Sequence, residues 1–385
     1  MIVYKRTAPP GLNRRALDLA AAIIAKSSRE RPADAALREE LRNQRDLDRK
    51  TAAIVTNAVF AFYRWFGWLD HRAILIARIE QALGLVEAFA KYPEQFSEKD
   101  LLERAVPAWT KGEMKMSAEW VRSLQSEPIL WLRARAGEAS EVKRQLDHCR
   151  VFGPEKWADT LQYMGREDLF RTSGFHSGQF EIQDVASQAV GFICNPHAGE
   201  LWWDSCAGEG GKTLHLSGLM RNKGLIWTSD RAAWRLQRLK RRAARAGVFN
   251  YRSAIWDGRA QLPTKTKFDG VLLDAPCSGV GNWQRNPHAR WTATPADLVD
   301  LSNLQTQLLS NACRAVKPGG KLFYVVCTLT RVETAAVVES FEKQHPEFEP
   351  MEIINPFNDQ KNRNVWIWPQ DYKCNGMFAA GWIRK

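Results

Sequence analysis

Two cysteines and an aspartate stand where apolar segments of this sequence end. One apolar run ends at Asp274 and leads through Ala-Pro into Cys277 and a Gly-rich loop. Fifty residues later, a second apolar run over 321–326 leads directly into Cys327. A thiolate is a strong nucleophile, and a carboxyl group can hold or transfer a proton. If the two runs are neighbouring strands, both thiols and the acid meet at one site that suits covalent catalysis.

Further acids follow strand-like runs in the same half of the chain. Asp204, Asp230, Asp257 and Asp274 each stand at or just after such a run. Because ligands of open parallel sheets bind at the carboxyl ends of the strands, these acids are expected to line one edge. Asp230 stands where an acid can accept both hydroxyls of a ribose. The set favours an adenosine carrying a methionine tail over a pyrophosphate, which four acids would repel.

A Gly-rich loop follows Asp204 and is the candidate cradle for that ligand. Small residues let a backbone approach a ligand closely, and the next helix offers N–H donors at its start. The loop is not a Walker A motif, because Cys206 stands where that motif requires glycine, and it misses GxGxxG because position 213 is threonine. The candidate cofactor-binding residues are Cys206, Ala207, Gly208, Glu209, Gly210, Gly211, Lys212, Asp230, Asp257 and Asp274.

Strand-like and helix-like segments alternate from about residue 180 onwards, which predicts βαβ units and a mainly parallel, doubly wound sheet. The predicted helices cover 184–194, 213–219, 231–246 and 295–316. The predicted strands cover 201–204, 225–229, 251–255, 270–273 and 321–326. Residues 12–120 show only helical periodicity, so an all-helical N-terminal domain is expected.

The charge balance favours a polyanionic partner. The 385 residues carry 55 Lys+Arg against 43 Asp+Glu, a formal net charge of +12, and nucleic acid is the expected polyanion. The 7 cysteines form no CxxC pair, which argues against a disulfide framework and a structural zinc. The N-terminus lacks the apolar core of a signal peptide, and no apolar run is long enough for a membrane span. A reducing cytoplasm, no membrane and no metal are therefore expected.

The two thiols suit methylation of a pyrimidine. Cytosine C5 is too weak a nucleophile to accept a methyl group unaided, so a thiolate must first add at C6. The sequence resembles the RNA cytosine-5 methyltransferases of the bacterial 16S ribosomal RNA type and their nucleolar relatives. The matching segments are 175–188, 204–213, Asp230, Asp257, 274–281, 317–324, Cys327-Thr328, Glu333 and 375–380. The resemblance covers roughly residues 125–385.

The resemblance implies a Rossmann-like, S-adenosylmethionine-dependent methyltransferase fold and assigns unequal roles to the site residues. It implies that Cys327 attacks, that Cys277 releases the product and that Asp274 lies close to the target base. It also implies that the Gly-rich loop and the acids bind S-adenosylmethionine. Glu209 departs from the family pattern, which usually has proline there, and a carboxylate at this position could weaken cofactor binding.

The predicted domains are a helical part over 1–125, a small α/β connector over 126–172 and the catalytic domain over 173–385. The helical part resembles the domain related to the antitermination factor NusB that precedes the catalytic core in the bacterial enzymes. The loop after Cys277 interleaves aromatic and basic residues, as unstacked RNA bases require. The candidate RNA-binding residues are Arg285, Asn286, Arg290 and Trp291.

The preferred prediction is a monomeric enzyme that methylates cytosine C5 in RNA, with ribosomal RNA favoured. Transfer RNA remains an alternative substrate. A DNA cytosine methyltransferase, whose nucleophile follows a proline, would use Cys277 instead and would leave Cys327 without a task. An alternative from another functional class is a non-catalytic RNA-binding assembly factor that keeps the fold.

Overall fold

The structure, a computed structural model, describes residues 13–44, 46–153 and 155–385. It divides into two compact units. The first comprises the chain up to Pro128 together with Asn282–Pro295, and the second comprises Ile129–Gly281 and Ala296–Lys385. The chain therefore leaves the second unit after Gly281 and re-enters it at Ala296. Across these described ranges, no helix has both the length and the apolar character that a membrane crossing requires.

The elements follow one another in three groups. The first group is α1 (Arg14–Lys26), α2 (Ala33–Asn43), α3 (Arg49–Arg64), α4 (Leu75–Lys91), α5 (Glu98–Arg104), α6 (Thr110–Glu113) and α7 (Ala118–Ser123). The second group is β1 (Leu130–Ala134), α8 (Ala139–Gln145), β2 (Cys149–Val151), β3 (Thr160–Tyr163), α9 (Ser173–His176) and β4 (Phe180–Ile182). The third group is α10 (Val185–Cys194), β5 (Leu201–Asp204), α11 (Gly211–Leu219), β6 (Leu225–Asp230), α12 (Ala233–Ala246), β7 (Tyr251–Ile255), β8 (Phe268–Asp274), α13 (Pro287–Thr292), α14 (Pro295–Ala312), β9 (Val316–Val326), α15 (Ala335–Gln344), β10 (Phe348–Pro350), β11 (Ile353–Ile354), β12 (Lys361–Asn362), β13 (Asn364–Ile367), α16 (Pro369–Tyr372) and β14 (Met377–Arg384).

The helical N-terminal region is confirmed, because α1 to α7 precede every strand in the described part of the chain. Side-chain caps explain where its helices begin: the Asp48 carboxylate accepts a hydrogen bond from the Thr51 backbone N–H at the start of α3. α3 ends at Arg64, and a 3-10 turn follows over Phe66–Trp68.

An eight-stranded sheet is the centre of the second unit and confirms the expected doubly wound α/β fold. Its main path runs β10-β14-β9-β8-β5-β6-β7, with β13 paired to β14. The five neighbouring strands β9, β8, β5, β6 and β7 pair in parallel, and β14 pairs with β9 in the antiparallel direction. Both faces are covered: Leu272 packs into one buried apolar cluster and Leu273 into the other. This two-sided burial explains why the strands are continuous apolar runs.

The predicted element bounds agree with the structure to within a few residues in this sheet, but two regions differ. The residues predicted as a separate connector, 126–172, contribute β1 to β3 to a four-stranded antiparallel sheet that β4 completes, and this sheet belongs to the second unit. The antiparallel strands after residue 345 were not predicted: β10 to β13 span only two to four residues each and carry little periodicity, and the eight-residue β14 was missed as well.

Candidate active site

The strand order reverses between β5 and β8, which makes the carboxyl ends of these two strands the natural position for a ligand. β5 ends at Asp204 and β8 ends at Asp274. β6 ends at Asp230, and Asp257 follows two residues after β7. All four acids therefore lie where parallel strands of the sheet end.

The two cysteine loops meet beside this edge. Cys277 Sγ and Cys327 Sγ lie 3.2 Å apart, which is hydrogen-bonding distance for sulfur. Backbone bonds hold the loops together: Gly281 N donates to Cys327 O at 3.0 Å, and Gly376 N donates to Gly281 O at 2.8 Å. A Cβ on Gly281 would lie 2.2 Å from Gly376 O, so only glycine permits this approach.

A buried carboxylate joins both loops. Glu333 has no exposed surface, and its Oε1 accepts hydrogen bonds from Ser278 N at 2.8 Å and Gln305 Nε2 at 3.0 Å. Its Oε2 accepts from Ser278 Oγ, from Thr328 Oγ1 at 3.1 Å and from Thr330 Oγ1 at 2.9 Å. Ser278 and Thr328 directly follow the two cysteines, so one side chain fixes both. Sequence reasoning noted Glu333 only as a family match, although a hydroxyl after each cysteine was a visible signal.

An ion pair lies on the strand edge. Lys212 Nζ is 2.6 Å from Asp274 Oδ2, and both side chains are mostly buried. Burial opposes the charge on Lys212, but the Asp274 carboxylate, together with Cys327 and Asp204, outweighs it and raises the pKa of the ammonium. The Asp274 carboxylate is thus held in place with a cation fixed beside it.

The charges around the two thiols are asymmetric. The charge of Cys327 is one of the causes that raise the pKa of Lys212, so this ammonium in turn acts on Cys327. The pKa of Cys277 lies well above its ordinary value, first because of its hydrogen bond with Cys327, then because of burial and the negative charges of Cys327 and Glu333. The arrangement favours a protonated thiol at Cys277 and leaves the Lys212 ammonium as the cation that acts on Cys327.

The Gly-rich loop has the form of a ligand cradle. Gly208 has a φ of +55°, and a Cβ there would meet nothing within 4 Å, so the space above the loop is open. The buried Asp204 accepts from Thr213 Oγ1 at 2.6 Å through Oδ2, while Oδ1 lacks a hydrogen-bond partner among the described residues. Burial raises the pKa of Asp204 to about 7, against the opposing hydrogen bond from Thr213. An open loop beside an unsatisfied acceptor fits a small ligand that carries donors.

The remaining candidate cofactor residues take two positions. Asp230 is buried and accepts from Gly208 N at 3.1 Å and Ala232 N at 2.8 Å, which ties the acid to the loop. Asp257 is largely exposed and pairs with Arg259. The Glu209 carboxylate pairs with Arg238 Nη1 at 2.7 Å, so the charge that could have opposed a cofactor is engaged by an arginine.

The predicted RNA-binding segment after Cys277 needs a correction. Arg290 has no exposed surface, and its guanidinium donates to the backbone carbonyls of Ala105 at 2.8 Å and Leu124 at 3.1 Å within the first unit. Burial, and then the charge of Arg64, lowers the pKa of Arg290 to about 9. A side chain enclosed in this way stabilises the helical unit and does not reach RNA.

The other three residues of this segment also take part in local structure. Trp291 Nε1 donates to Tyr63 O at 2.7 Å, and its side chain is half-buried. The Asn286 side chain accepts from Ala289 N and caps α13, and Arg285 is partly exposed. One tryptophan just before a helix that begins with proline, Trp283, and a second within that helix, Trp291, were the sequence signal for a packed segment. RNA contact by Arg285, Asn286 and Trp291 stays a prediction.

One cluster outside the strand edge has ligand atoms suited to a metal. The ligand atoms of Cys313, His345 and Glu347 lie within 4.8 Å of one another. Hydrogen bonds within the unit account for them: Cys313 Sγ donates to Ser310 O at 3.2 Å, and His345 Nδ1 lies 3.1 Å from Glu347 Oε1. The cluster is thus explained without an ion.

The topology, the strand-end acids and the Gly-rich loop define the second unit as an S-adenosylmethionine-dependent methyltransferase domain. Residues 192–383 match the family model of the 16S rRNA methyltransferases RsmB/F. Through this domain the chain belongs to the RsmB/F family, as the sequence resemblance indicated.

Individual relatives agree with this assignment. The chain is 38% identical over 216 residues to the probable ribosomal RNA small subunit methyltransferase B of Synechocystis sp., covering 54% of this chain and 48% of that protein. It is 31% identical over 259 residues to the ribosomal RNA small subunit methyltransferase F of Vibrio parahaemolyticus, covering 63% and 54%. The chain thus spans about half the length of the curated relatives it matches.

Solved structures share the fold. The crystal structure of PH0851 superposes with a TM-score of 0.79 at 23% identity, over 99% of this chain and 100% of that one. NSun6 from Pyrococcus horikoshii, solved with the S-adenosylmethionine analogue SFG, has a TM-score of 0.60 at 17% identity, over 69% and 93%.

Proposed function

We propose that this protein methylates C5 of a cytosine in RNA, with ribosomal RNA as the favoured substrate, and that Cys327 forms a covalent bond to C6 of that base. The pair of thiols 3.2 Å apart carries the proposal. One thiol suffices for a nucleophile, and a second at this distance has a task only if the adduct must also be resolved. The names of the relatives, ribosomal RNA small subunit methyltransferases B and F, support the RNA substrate.

The first step uses the asymmetric charges around the two thiols. The Cys327 thiolate, favoured by Lys212, adds to C6, and the electron pair of the C5–C6 double bond makes C5 nucleophilic. S-adenosylmethionine, when bound, supplies an electrophilic methyl group. The loop from Cys206 to Lys212 together with Asp230 and Asp257 would hold it. Asp274, held in place by its ion pair with Lys212, would accept a hydrogen bond from the base and orient it.

The second step restores aromaticity. Once Cys327 is a thioether it no longer carries a negative charge, and one of the causes that raise the pKa of Cys277 disappears. Cys277 can then give up its thiol proton to solvent, and the resulting thiolate acts as a base and takes the C5 proton. The electrons of that C–H bond re-form the C5–C6 double bond, and the C6–S bond breaks with its electron pair returning to Cys327. Release of the methylated base leaves Cys327 as a thiolate and Cys277 as a thiol, the state from which the cycle began.

Single cysteine variants test this assignment of roles. Labelled RNA is incubated with S-adenosylmethionine and the full chain, and covalent complexes are resolved on a denaturing gel. We expect Cys277→Ala to accumulate the adduct and Cys327→Ala to form none. Cys313→Ala, a buried cysteine of the same unit, is the matched control and should turn over without accumulating adduct. Adduct formation by Cys327→Ala, or its loss in Cys277→Ala alone, would reverse the roles and favour the mechanism of the DNA enzymes.

A further inference from the structure

A cavity of about 500 Å³ in the second unit combines guanidinium groups with phenylalanine rings. We call it the arginine–phenylalanine cavity and define it by Phe170, Phe175, Arg238, Arg241, Arg242 and Arg245. An exposed arginine, Arg241, and an exposed ring, Phe170, are both present here, a combination that neither the fold nor the proposed methyl transfer requires.

The four arginines form one stripe on α12. Counted from Arg238, the other three follow at i+3, i+4 and i+7, a spacing that places all four on a single face of the helix. The opposite face carries the buried Leu236, Leu239 and Ala243 and packs the helix onto the unit. Like charges at this spacing repel one another, so the stripe costs stability unless anions offset it.

Two of the arginines are held rigidly. The buried Glu181 carboxylate accepts hydrogen bonds from Arg242 Nη2 at 2.8 Å and from Arg245 Nη2. The Arg245 guanidinium also lies 3.7 Å from the centroid of the Phe175 ring. These side chains are therefore ordered before any ligand arrives, and a pre-organised site loses less entropy on binding.

The cavity keeps an excess of positive charge. Its four arginines face two carboxylates, Glu181 and Glu209, and Glu209 pairs with Arg238. Arg241 is exposed, and no ion pair is recorded for it within the described ranges. Phe170 lines the same cavity with 61% of its surface exposed, in edge contact with Phe175 at 5.0 Å between centroids. A cation and an exposed ring in one cavity match a phosphate and a base.

We infer that the arginine–phenylalanine cavity binds a single-stranded segment of the RNA substrate away from the target base. Phe170 stacks one unpaired base, and Arg241 with Arg238 contacts the adjoining phosphates. The inference rests on the proposed function, since it concerns the substrate of the same enzyme. Charge complementarity identifies the occupant: α12 carries six cationic residues and no acid, in a chain of net charge +12.

Two substitutions separate stacking from charge, measured by fluorescence anisotropy with a labelled 12-nucleotide oligouridylate and the full chain at several salt concentrations. We expect Phe170→Ala to weaken binding about fivefold or more, as loss of one stacked base does. Arg241→Gln should reduce the slope of log affinity against log salt by about 0.7, as loss of one phosphate contact does. The matched controls are Phe249→Ala, an exposed ring elsewhere, and Lys343→Gln, an exposed cation on α15. Neither control should change binding.

Each outcome separates the inference from the proposed function. If the wild-type chain forms the covalent adduct while Phe170→Ala and Arg241→Gln bind oligouridylate like the controls, the inference is wrong and the proposed function stands. If the wild type neither forms an adduct nor binds the strand, both are wrong. If polyglutamate displaces oligouridylate as well as unlabelled oligouridylate does, and Phe170→Ala does not change binding, the cavity takes an acidic protein partner and the inference is wrong. A loss of S-adenosylmethionine affinity in either variant would assign the cavity to the cofactor instead.

Discussion

Glu333 offers the sharpest test of how the two cysteine loops are positioned. Its carboxylate receives five hydrogen bonds, from Ser278 twice and from Gln305, Thr328 and Thr330. In Glu333→Gln one carboxylate oxygen becomes an NH₂ group, which must face either the Ser278 N–H and Gln305 NH₂ donors or the three hydroxyls. Only hydroxyls can rotate to accept, so we expect the amide NH₂ on their side.

The expected cost follows from these five bonds. A hydrogen bond to a charged group contributes roughly 1.5–3 kcal/mol and a neutral one roughly 0.5–1.5 kcal/mol. Because the bonds share one acceptor and are not additive, we expect Glu333→Gln to lower the free energy of unfolding by about 2–4 kcal/mol. Glu333→Ala should cost on the order of 5 kcal/mol, since it leaves buried donors unpaired. Urea unfolding measures both, with Glu339→Gln on the exposed face of α15 as control.

Activity distinguishes a positioning role from a purely structural one. Ser278 and Thr328 adjoin the cysteines, so loosening them displaces the sulfurs, and a displacement of about 1 Å can cost on the order of 100-fold in rate. We expect single-turnover adduct formation by Glu333→Gln to slow by about 10- to 100-fold at temperatures where it is folded. Removing the negative charge should also lower the pKa of Cys277 and shift the pH profile of product release to lower pH. Wild-type adduct rate and pH profile in a destabilised variant would refute the positioning role.

Three further predictions concern stability and cofactor binding. Asp204 has an ordinary pKa of 3.8 and a folded-state pKa of about 7. Because the native state holds this proton more tightly than the unfolded state, the unfolding free energy should fall by on the order of 4 kcal/mol from pH 4 to pH 8, relative to that of Asp204→Asn. A difference in unfolding free energy that does not change with pH would contradict this. Arg290→Met should lower the unfolding free energy by about 3 kcal/mol, because buried carbonyls lose their donors. Unchanged stability together with weakened RNA binding would instead support the original prediction that Arg290 contacts RNA. Gly210 has a φ of +87°, and a Cβ there would lie 2.6 Å from Leu239 Cγ, so Gly210→Ala should destabilise the chain by roughly 1–3 kcal/mol in thermal unfolding. A Cβ on Gly208 would meet open space, so Gly208→Ala should mainly weaken the binding of S-adenosylmethionine, measured by calorimetry. The opposite pattern would refute the role of the Gly-rich loop as a cofactor cradle.

Local patterns were sufficient to predict the five parallel strands of the sheet and the acids where they end. β5, β6 and β8 are apolar runs that end in an acid, and burial on both faces of a parallel sheet leaves such a run few other conformations. Family resemblance then placed Cys277 and Cys327 on neighbouring strands, and the register of β8 against β9 agrees with that expectation. The short antiparallel strands after residue 345 carried too little periodicity to be recognised.

The sequence by itself therefore determined the fold class and the set of groups at the strand edge, because periodicity and strand ends are local properties. Only the tertiary structure decided which groups meet. It encloses Arg290 in the helical unit and joins the cysteine loops through Glu333, and it brings Phe170 to the arginine stripe of α12. Each of these depends on contacts between residues far apart in the chain, where burial and hydrogen-bond satisfaction settle the role of a side chain whose type alone leaves it open.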